Sequence, residues 1–545
     1  MPIARLDTAA TTRRAIRLVC ACALALVVLL LTVAPALAAT APGPAEAQPR
    51  SEARADTIDA GALTADAASA DGLAPAVAAA PSPAPSASPA PSWSPVPGAW
   101  VAPGTTFSAR PSASRIPLPS LVPSPTPAPT PQPTPAWSKV VTTVGASIQF
   151  FGRGNGHGVG MSQWGARGRA LAGQTTGQIL AAYFSSSTLG TTSPTSPVRV
   201  LLLSGFSAAS ASPLTIHGRS GPWTIDGVTP QFPADAALKV WRTSATVNGA
   251  ATTTWHLRVV AADGVTTLYT GNPSSSTLVV RPGNSTARLQ LDSKPTTSNL
   301  YRGRLTLALT RSYLNVVDTV GLDDYLKGVV PTEMPASWPV EALKAQVVVA
   351  RSWTVKHLHP TTGAFDVYDD SRSQIYRGVR GENAAVTALI TAQPGAVLLY
   401  GTTVVNAFYC SAAGGWTENN EDAFVPANGV ISSAPLPYLR GRDDRAPNGI
   451  AYDAGAPGFS WQTPVLTHAQ LTAILAADTR TGVGTVLRLD LTHRGVSGRL
   501  YQVVIYGSTG TKTVSGDVFR AVYNAHRPAG SAAMLSNLFN AAPLP

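Results

Sequence analysis

The sequence predicts an α+β body in which strands dominate, standing behind a disordered tether. Three observations predict it. Residues 39–137 are mostly Ala, Pro, Ser and Thr, in runs such as "PSPAPSASPAPSWSPVP". Between about 195 and 320, apolar stretches such as "PVRVLLLSG", "TWHLRVVAADG" and "RGRLTLALT" are cut by Gly, Asn, Ser and Pro, which is the pattern of strands and turns. "PVEALKAQVVVARSWTVKHL" then has helical spacing, with Pro339 near its first turn.

The amino terminus reads as an export signal. Arg5, Arg13, Arg14 and Arg17 precede an uncharged apolar run from Leu18 to about Val33, and Ala36-Leu37-Ala38 follows as a small-x-small cleavage pattern. The same run is near spanning length and serves equally as an uncleaved membrane anchor. Residues 1–38 are therefore a signal peptide or anchor, and the protein is expected outside the cytoplasm: secreted, in the wall, or anchored on the outer face of the membrane.

Residues 39–137 lack the large apolar side chains of a core, and their prolines favour extended polyproline conformations. They read as a semi-stiff spacer. Of three cysteines, Cys20 and Cys22 lie in the leader, so Cys410 has no internal disulfide partner and packing must stabilise the body. The chain carries a net charge of +11. Outside a cell this suits anionic wall polymers or lipid head groups. No nucleic-acid motif accompanies it, so no nucleic-acid partner is expected.

The body starts near Ser138. "KVVTTVGASIQFFG" reads as strands entering "GRGNGHGVGMSQWGARG", where glycine occupies every second position from Gly152 to Gly160. Such density signals unusual backbone angles or very close approach. Either the run walls a ligand site with His157 as its polar side chain, or it is a turn packed on a sheet with His157 making a structural hydrogen bond. It lacks the Gly-Lys-Ser/Thr of a phosphate loop. "GMSQWGARGRALAGQ" has helical spacing, and Thr175 and Gln178 form a capping-box pattern before the next helix. Beyond the long helix come further strands, a helical "THAQLTAILAAD", and paired strands around "RLYQVVIYGSTGTKTV".

Chemistry concentrates in "LDDYLKGVVPTEMPASWPVEALKAQVVVARSW". Glu333 lies between Pro331 and Pro335, and Val330 before Pro331 is expected to be extended. Val329, Val330, Met334 and Trp338 supply apolar neighbours, and desolvation raises a glutamate's pKa toward what a general acid needs. The plainer reading is a surface glutamate ahead of a helix, favourable to its dipole. Lys344 and Arg351 are seven residues apart and share a helix face. On spacing alone they are a solvated face or a pair of substrate cations.

The stretches "GLDDYLKGVVPTEMPASWPVEALKAQVVVARSW", "DVYDDSRSQIYRGV", "VVNAFYCSAAGGWTENNEDAF" and "VSGDVFRAVY" resemble the SpoIID/LytB family, named for stage II sporulation protein D and an amidase enhancer. "GRGNGHGVGMSQWGARGRALAGQTTGQILAAYF" resembles its Gly-His-Gly signature, displaced here to the amino-terminal side, as if by circular permutation. The resemblance divides 138–545 into a Gly-His-Gly block (138–190), a strand-rich insert (191–300) and a catalytic core (301–545).

It implies lytic transglycosylase cleavage of peptidoglycan glycan strands, in some members strands that have lost their stem peptides. Glu333 matches the catalytic acid. Lys344 and Arg351 match the helix cations and would meet the lactyl carboxylate of muramic acid. His157, Gly156, Gly158 and Gln163, with Ser411, Gly414, Gly415 and Thr417, would line the cleft. Asp369, Ser371, Gln374 and Tyr376 are further candidates, and "VSGDVFRAVY" would form a strand-loop ending. The alternative the resemblance carries is a non-catalytic wall-binding protein that stimulates an amidase partner. Some members hold zinc near this segment; Cys410 has no nearby histidine or second cysteine, so neither a metal nor any other cofactor is expected.

Overall fold

The computed structural model describes residues 141–544 except 249 and 360; the leader, the tether and residues 138–140 lie outside the described residues. Eight helices occur among them: α1 (Gln163–Leu171), α2 (Thr176–Tyr183), α3 (Leu322–Glu333), α4 (Val340–Lys356), α5 (Ala384–Ala392), α6 (Asn420–Ala423), α7 (His468–Ala476) and α8 (Gly516–His526). None is long and apolar enough to cross a membrane. Strands outnumber helices, and the body is α+β as the sequence predicts.

The strand-rich region forms two six-stranded sheets. In one, Pro197–Phe206 and Leu314–Gly321 pair antiparallel, followed by Arg304–Leu309, Thr277–Pro282 and Trp223–Ile225; Val367–Tyr368 adds in parallel at the other edge. The other is built on the hairpin strands Ala237–Val247 and Ala250–Val260, with Leu214–Arg219 and Arg288–Leu291 beside them. Alternation sets which side chains enter the core. Leu238 and Val240 are buried across from Leu257 and Val259, while Lys239 and Arg258 face outward.

Helix α4 is buried nearly all round, and Val347, Val348, Val349 and Ala350 lie in the same core as both sheets. A helix with no solvated stripe has to be covered on several sides. α3 packs on one side of it and α1 and α2 on others.

A second core joins distant stretches of sequence. Val144, Ile148 and Phe150 pack with Leu471, Ile505, Phe519 and Phe539. Accordingly Thr142–Thr143 pairs with Val486–Asp490, and Phe151–Arg153 lies between Ser460–Gln462 and Phe539–Asn540. The chain thus enters the glycine-rich run from a scaffold supplied by its last eighty residues or so.

Two local expectations hold. Thr175 and Gln178 form the expected capping box, and the helix read in "THAQLTAILAAD" is α7, which the structure caps with a further box, Thr467 with Gln470. One fails: "VSGDVFRAVY" is not a strand-loop ending but the start of helix α8. Ser515 caps it by accepting from the Val518 N–H, and Val518, Phe519, Val522 and Tyr523 form the buried stripe that a helical period produces.

Candidate active site

Glu333 closes helix α3. The helix runs through Pro331, so Val330 is helical rather than extended, and the glutamate sits on a last turn instead of a proline-stiffened loop. Proline is tolerated there because the Met334 N–H still reaches Val330 O at 3.0 Å, closing the turn. The residue is 8% exposed, and burial pushes its pKa up to about 7. Two groups oppose the rise by favouring the ionised form: the Ile375 N–H, which donates to Oε1 at 2.8 Å, and the nearby Tyr409 hydroxyl. No lysine or arginine contributes to the shift.

The carboxyl opens into a cleft of about 580 Å³. The floor is Pro331, Thr332 and Glu333; Ile375, Arg377 and Arg380 form one wall. The opposite wall comes from the glycine-rich block: Asn155, and Gln163 and Trp164 of α1. Gln163 Nε2 donates to the backbone oxygen of Glu333 at 3.0 Å, tying the two halves together. Trp164 meets Trp338 edge to face at 4.8 Å, with the Arg167 guanidinium 5.1 Å from the Trp164 ring. Ser411 completes the lining, and its carbonyl accepts from Trp164 N–H.

His157 is elsewhere. Its Nδ1 accepts from the Val159 N–H at 2.9 Å, so the proton sits on Nε2, which donates to the Tyr409 carbonyl. The ring packs against Phe408 and Phe424, and burial lowers its pKa to about 3. It does not line the cleft. It holds Tyr409, whose side chain in turn faces Glu333.

The glycines do not form a sugar wall either. What comes close is protein. At Gly158, φ is +78°, and a Cβ there would stand inside the Arg499 guanidinium. At Gly160, φ is +71°, and a Cβ would overlap Phe408 O. Gly156 likewise rests on Cys410. The alternation of glycine is the track on which residues 408–412 and Arg499 lie.

The cations also depart from expectation. Seven residues of helix place Lys344 and Arg351 on one face but about 10 Å apart along it, with different neighbours. Lys344 Nζ pairs with Glu341 at 2.8 Å on a half-exposed rim. Arg351 is 0% exposed, and its Nε meets Asp323 Oδ1 at 2.8 Å while Nη1 donates to Ala396 O. Asp323 begins α3 and Glu333 ends it, so Arg351 serves the far end of the helix. Since Lys344 forms only an i,i+3 surface pair, Lys344→Ala is expected to shift stability by under about 0.5 kcal/mol. A chemical-denaturation curve checks this.

Gly414 and Gly415 donate their N–H groups to the buried carboxylate of Asp453, and Thr417 exchanges hydrogen bonds with the Arg442 backbone; none of the three lines the cleft. Gln374 stands behind the site. Its Oε1 accepts from Thr354 Oγ1 at 2.8 Å and its Nε2 donates to the Tyr409 hydroxyl at 3.1 Å. Tyr376 donates to Asp318 at 2.9 Å in the core, and Asp369 pairs with Lys294 at 2.6 Å. Ser371 is half-buried in the same loop, outside the lining. Burial pushes the Cys410 thiol up to about 12, which keeps it protonated.

Sequence reasoning missed Trp164, Arg377, Arg380, Asn155 and Tyr409, and named Trp338 only as an apolar neighbour of Glu333. Trp164 stood inside a stretch already singled out, beside Gln163, which bonds to Glu333, and that adjacency was a usable signal. Arg377 and Arg380 carried none, since their position depends on the turn Gly378–Gly381.

The buried acids make a prediction about stability. Asp318, Glu418 and Asp444 are each pushed to about 7 by burial, as Glu333 is. Their folded pKa values exceed their unfolded ones, so the stability they contribute is complete below about pH 4 and is lost as pH rises through about 7. His157 acts oppositely, but only as pH falls below about 6.5. Thermal unfolding should therefore occur at higher temperature at pH 6 than at pH 8; the reverse order would contradict these burial shifts.

Residues 310–400 match the family model for the stage II sporulation protein SpoIID. Over this segment the chain is similar to the SpoIID family. That segment holds Glu333, Trp338 and the two cleft arginines, while Asn155, Gln163, Trp164 and Ser411 fall outside it. The amidase enhancer of Bacillus subtilis is 37% identical over 119 residues, 22% of this chain and 15% of that protein. Stage II sporulation protein D of Bacillus amyloliquefaciens is 27% identical over 187 residues, covering 31% and 53%. An uncharacterised protein of Brachyspira hyodysenteriae is 32% identical over 143 residues, 26% and 37%. The chain therefore spans about half or less of these relatives' lengths. No solved structure matches.

Proposed function

We propose that this protein acts on the bacterial cell wall from outside the cytoplasm, cutting peptidoglycan glycan strands without water and using Glu333 as its acid and base. One observation carries the reading: Glu333 is the single carboxyl group among the described residues lining the cleft, and burial sets it at about 7. Near neutral pH such a group exists in both protonation states, as one residue needs if it is first to give and then to take a proton.

The protonated carboxyl donates to the glycosidic oxygen as the C1–O4 bond of the muramic acid residue breaks. The resulting carboxylate removes the proton from that sugar's C6 hydroxyl as O6 bonds to C1. A 1,6-anhydro ring closes, and the carboxyl is again protonated. A hydrolase of the common kind would need a second carboxyl for its water or nucleophile. Here the nucleophile is intramolecular and benefits from high effective concentration.

Trp164 and Trp338 offer ring surfaces for sugars, and Arg377 and Arg380 line the cleft without pairing to any carboxylate among the described residues. Arg377 and Arg380 thus suit the muramic lactyl carboxylate, the role first given to Lys344 and Arg351, and a strand stripped of peptide would present it free.

The relative named amidase enhancer favours a second reading, in which the cleft binds glycan and the protein stimulates an amidase. Mass spectrometry of denuded strands incubated with the purified chain separates them. Anhydro-ended fragments support cleavage; fragments heavier by one water would mean hydrolysis and overturn the mechanism. Bound but uncut strands, with faster release of stem peptides by an added amidase, would favour the enhancer.

A further inference from the structure

A second cavity, of about 590 Å³, lies outside the catalytic cleft. Its frame is the three-stranded sheet with Phe151–Arg153 at the centre. The register puts Arg153 opposite Ser460 and Phe151 opposite Gln462, so these four share a face. On the other face Trp461 covers Gly152, where a Cβ would penetrate the indole, and its Nε1 donates to Gly154 O at 2.9 Å.

Arg153 is half-buried in this cavity and pairs with no carboxylate among the described residues. Loss of water without a compensating charge lowers its pKa. Other half-buried arginines, Arg199, Arg302 and Arg440, each hold an acid. A cation kept partly dry and unpaired is costly, and an anionic ligand would relieve the cost. Phe151 adds aromatic surface on the same face, and Ser460 and Gln462 add hydrogen-bonding groups.

The cavity is also joined to the active site by the chain itself. Asn155, two residues beyond Arg153, lines the catalytic cleft, and so does Pro457, three residues before Ser460. The same two runs of backbone border both spaces.

We propose that this cavity is a distal subsite for the polymer cut at Glu333, in which Arg153 binds the carboxylate of a sugar further along the strand and Phe151 packs against its ring. This rests on the reading of the substrate as a carboxylate-bearing glycan. Its consequence is that long strands bind better than fragments that fill the catalytic cleft alone.

The test uses Arg153→Gln in the full chain, alone and combined with Glu333→Gln so that binding is measured without cutting. The double variant should bind long denuded strands roughly tenfold more weakly than Glu333→Gln alone, the size expected for one charge-assisted hydrogen bond. Strands whose carboxyls have been amidated should bind both proteins equally, and short fragments should be cut equally by wild type and Arg153→Gln. Equal binding of long native strands by both proteins would overturn the proposal. So would a drop of several degrees in the unfolding temperature of Arg153→Gln, which would mark the arginine as structural. If wild type cuts no glycan yet the tenfold difference persists, the distal subsite stands and the catalytic reading falls. If cleavage is found without that difference, only the distal subsite falls.

Discussion

Replacing Glu333 by glutamine is expected to lower glycan cleavage by roughly 10³-fold or more, in line with the loss of general acid–base catalysis. The substitution is nearly isosteric. The amide oxygen still accepts from the Ile375 N–H, and the backbone contact with Gln163 is untouched. The fold should therefore survive, and strand binding should stay within a few-fold of wild type. What disappears is the proton that the leaving oxygen requires. The pH profile gives an independent check. In wild type, cleavage should decline as pH rises past about 7, where the free enzyme loses the protonated form of this carboxyl. Cleavage by Glu333→Gln above a tenth of the wild-type rate, or a wild-type rate that climbs through pH 8 and beyond, would contradict the assignment.

Replacing Arg351 by alanine is expected to cost about 3–5 kcal/mol of stability, the range for removing one partner of a buried ion pair. The guanidinium is fully buried between the start of α3 and the strand Ala396–Tyr400, holding Asp323 with Nε and the Ala396 carbonyl with Nη1. Truncation leaves both acceptors short of a donor and opens a void between two helices. Arg351→Met fills much of that volume and should lose less. The readout is the unfolding free energy beside the strand affinity of the remaining folded protein. A stable Arg351→Ala protein with selectively weakened binding to denuded strands would return this residue to the substrate, where its helix position first suggested it.

The local elements were legible because their causes are local. The Thr175–Gln178 capping box, the long helix and the alternating strands each follow from residues within one or two turns of each other, and the structure keeps them. Helix α8 was misread because a family ending was carried over, although Ser515 and the spacing of Val518, Phe519, Val522 and Tyr523 already had a helical period. Glu333 was found from its proline setting, yet the backbone inferred from those prolines was wrong: α3 absorbs Pro331 in its last turn. The site's other members were mixed. Gln163 and Ser411 do line the cleft, whereas His157, Gln374 and the glycines stand behind it.

The amino-acid sequence by itself determined an exported-looking α+β chain with an acid flanked by apolar residues and a glycine run that demands close approach. Only the tertiary structure decided what approaches. Helical spacing says which residues share a face but not what covers that face at each level, so Lys344 ends at solvent and Arg351 in the core. Likewise the glycines received Arg499 and the 408–412 strand rather than a sugar, because the last part of the chain folds back to share a core with the strands that lead into them. Burial, which gives Glu333 its pKa of about 7, also depends on residues distant in sequence, such as Gln163, Ile375 and Tyr409, and the local apolar pattern alone does not supply it.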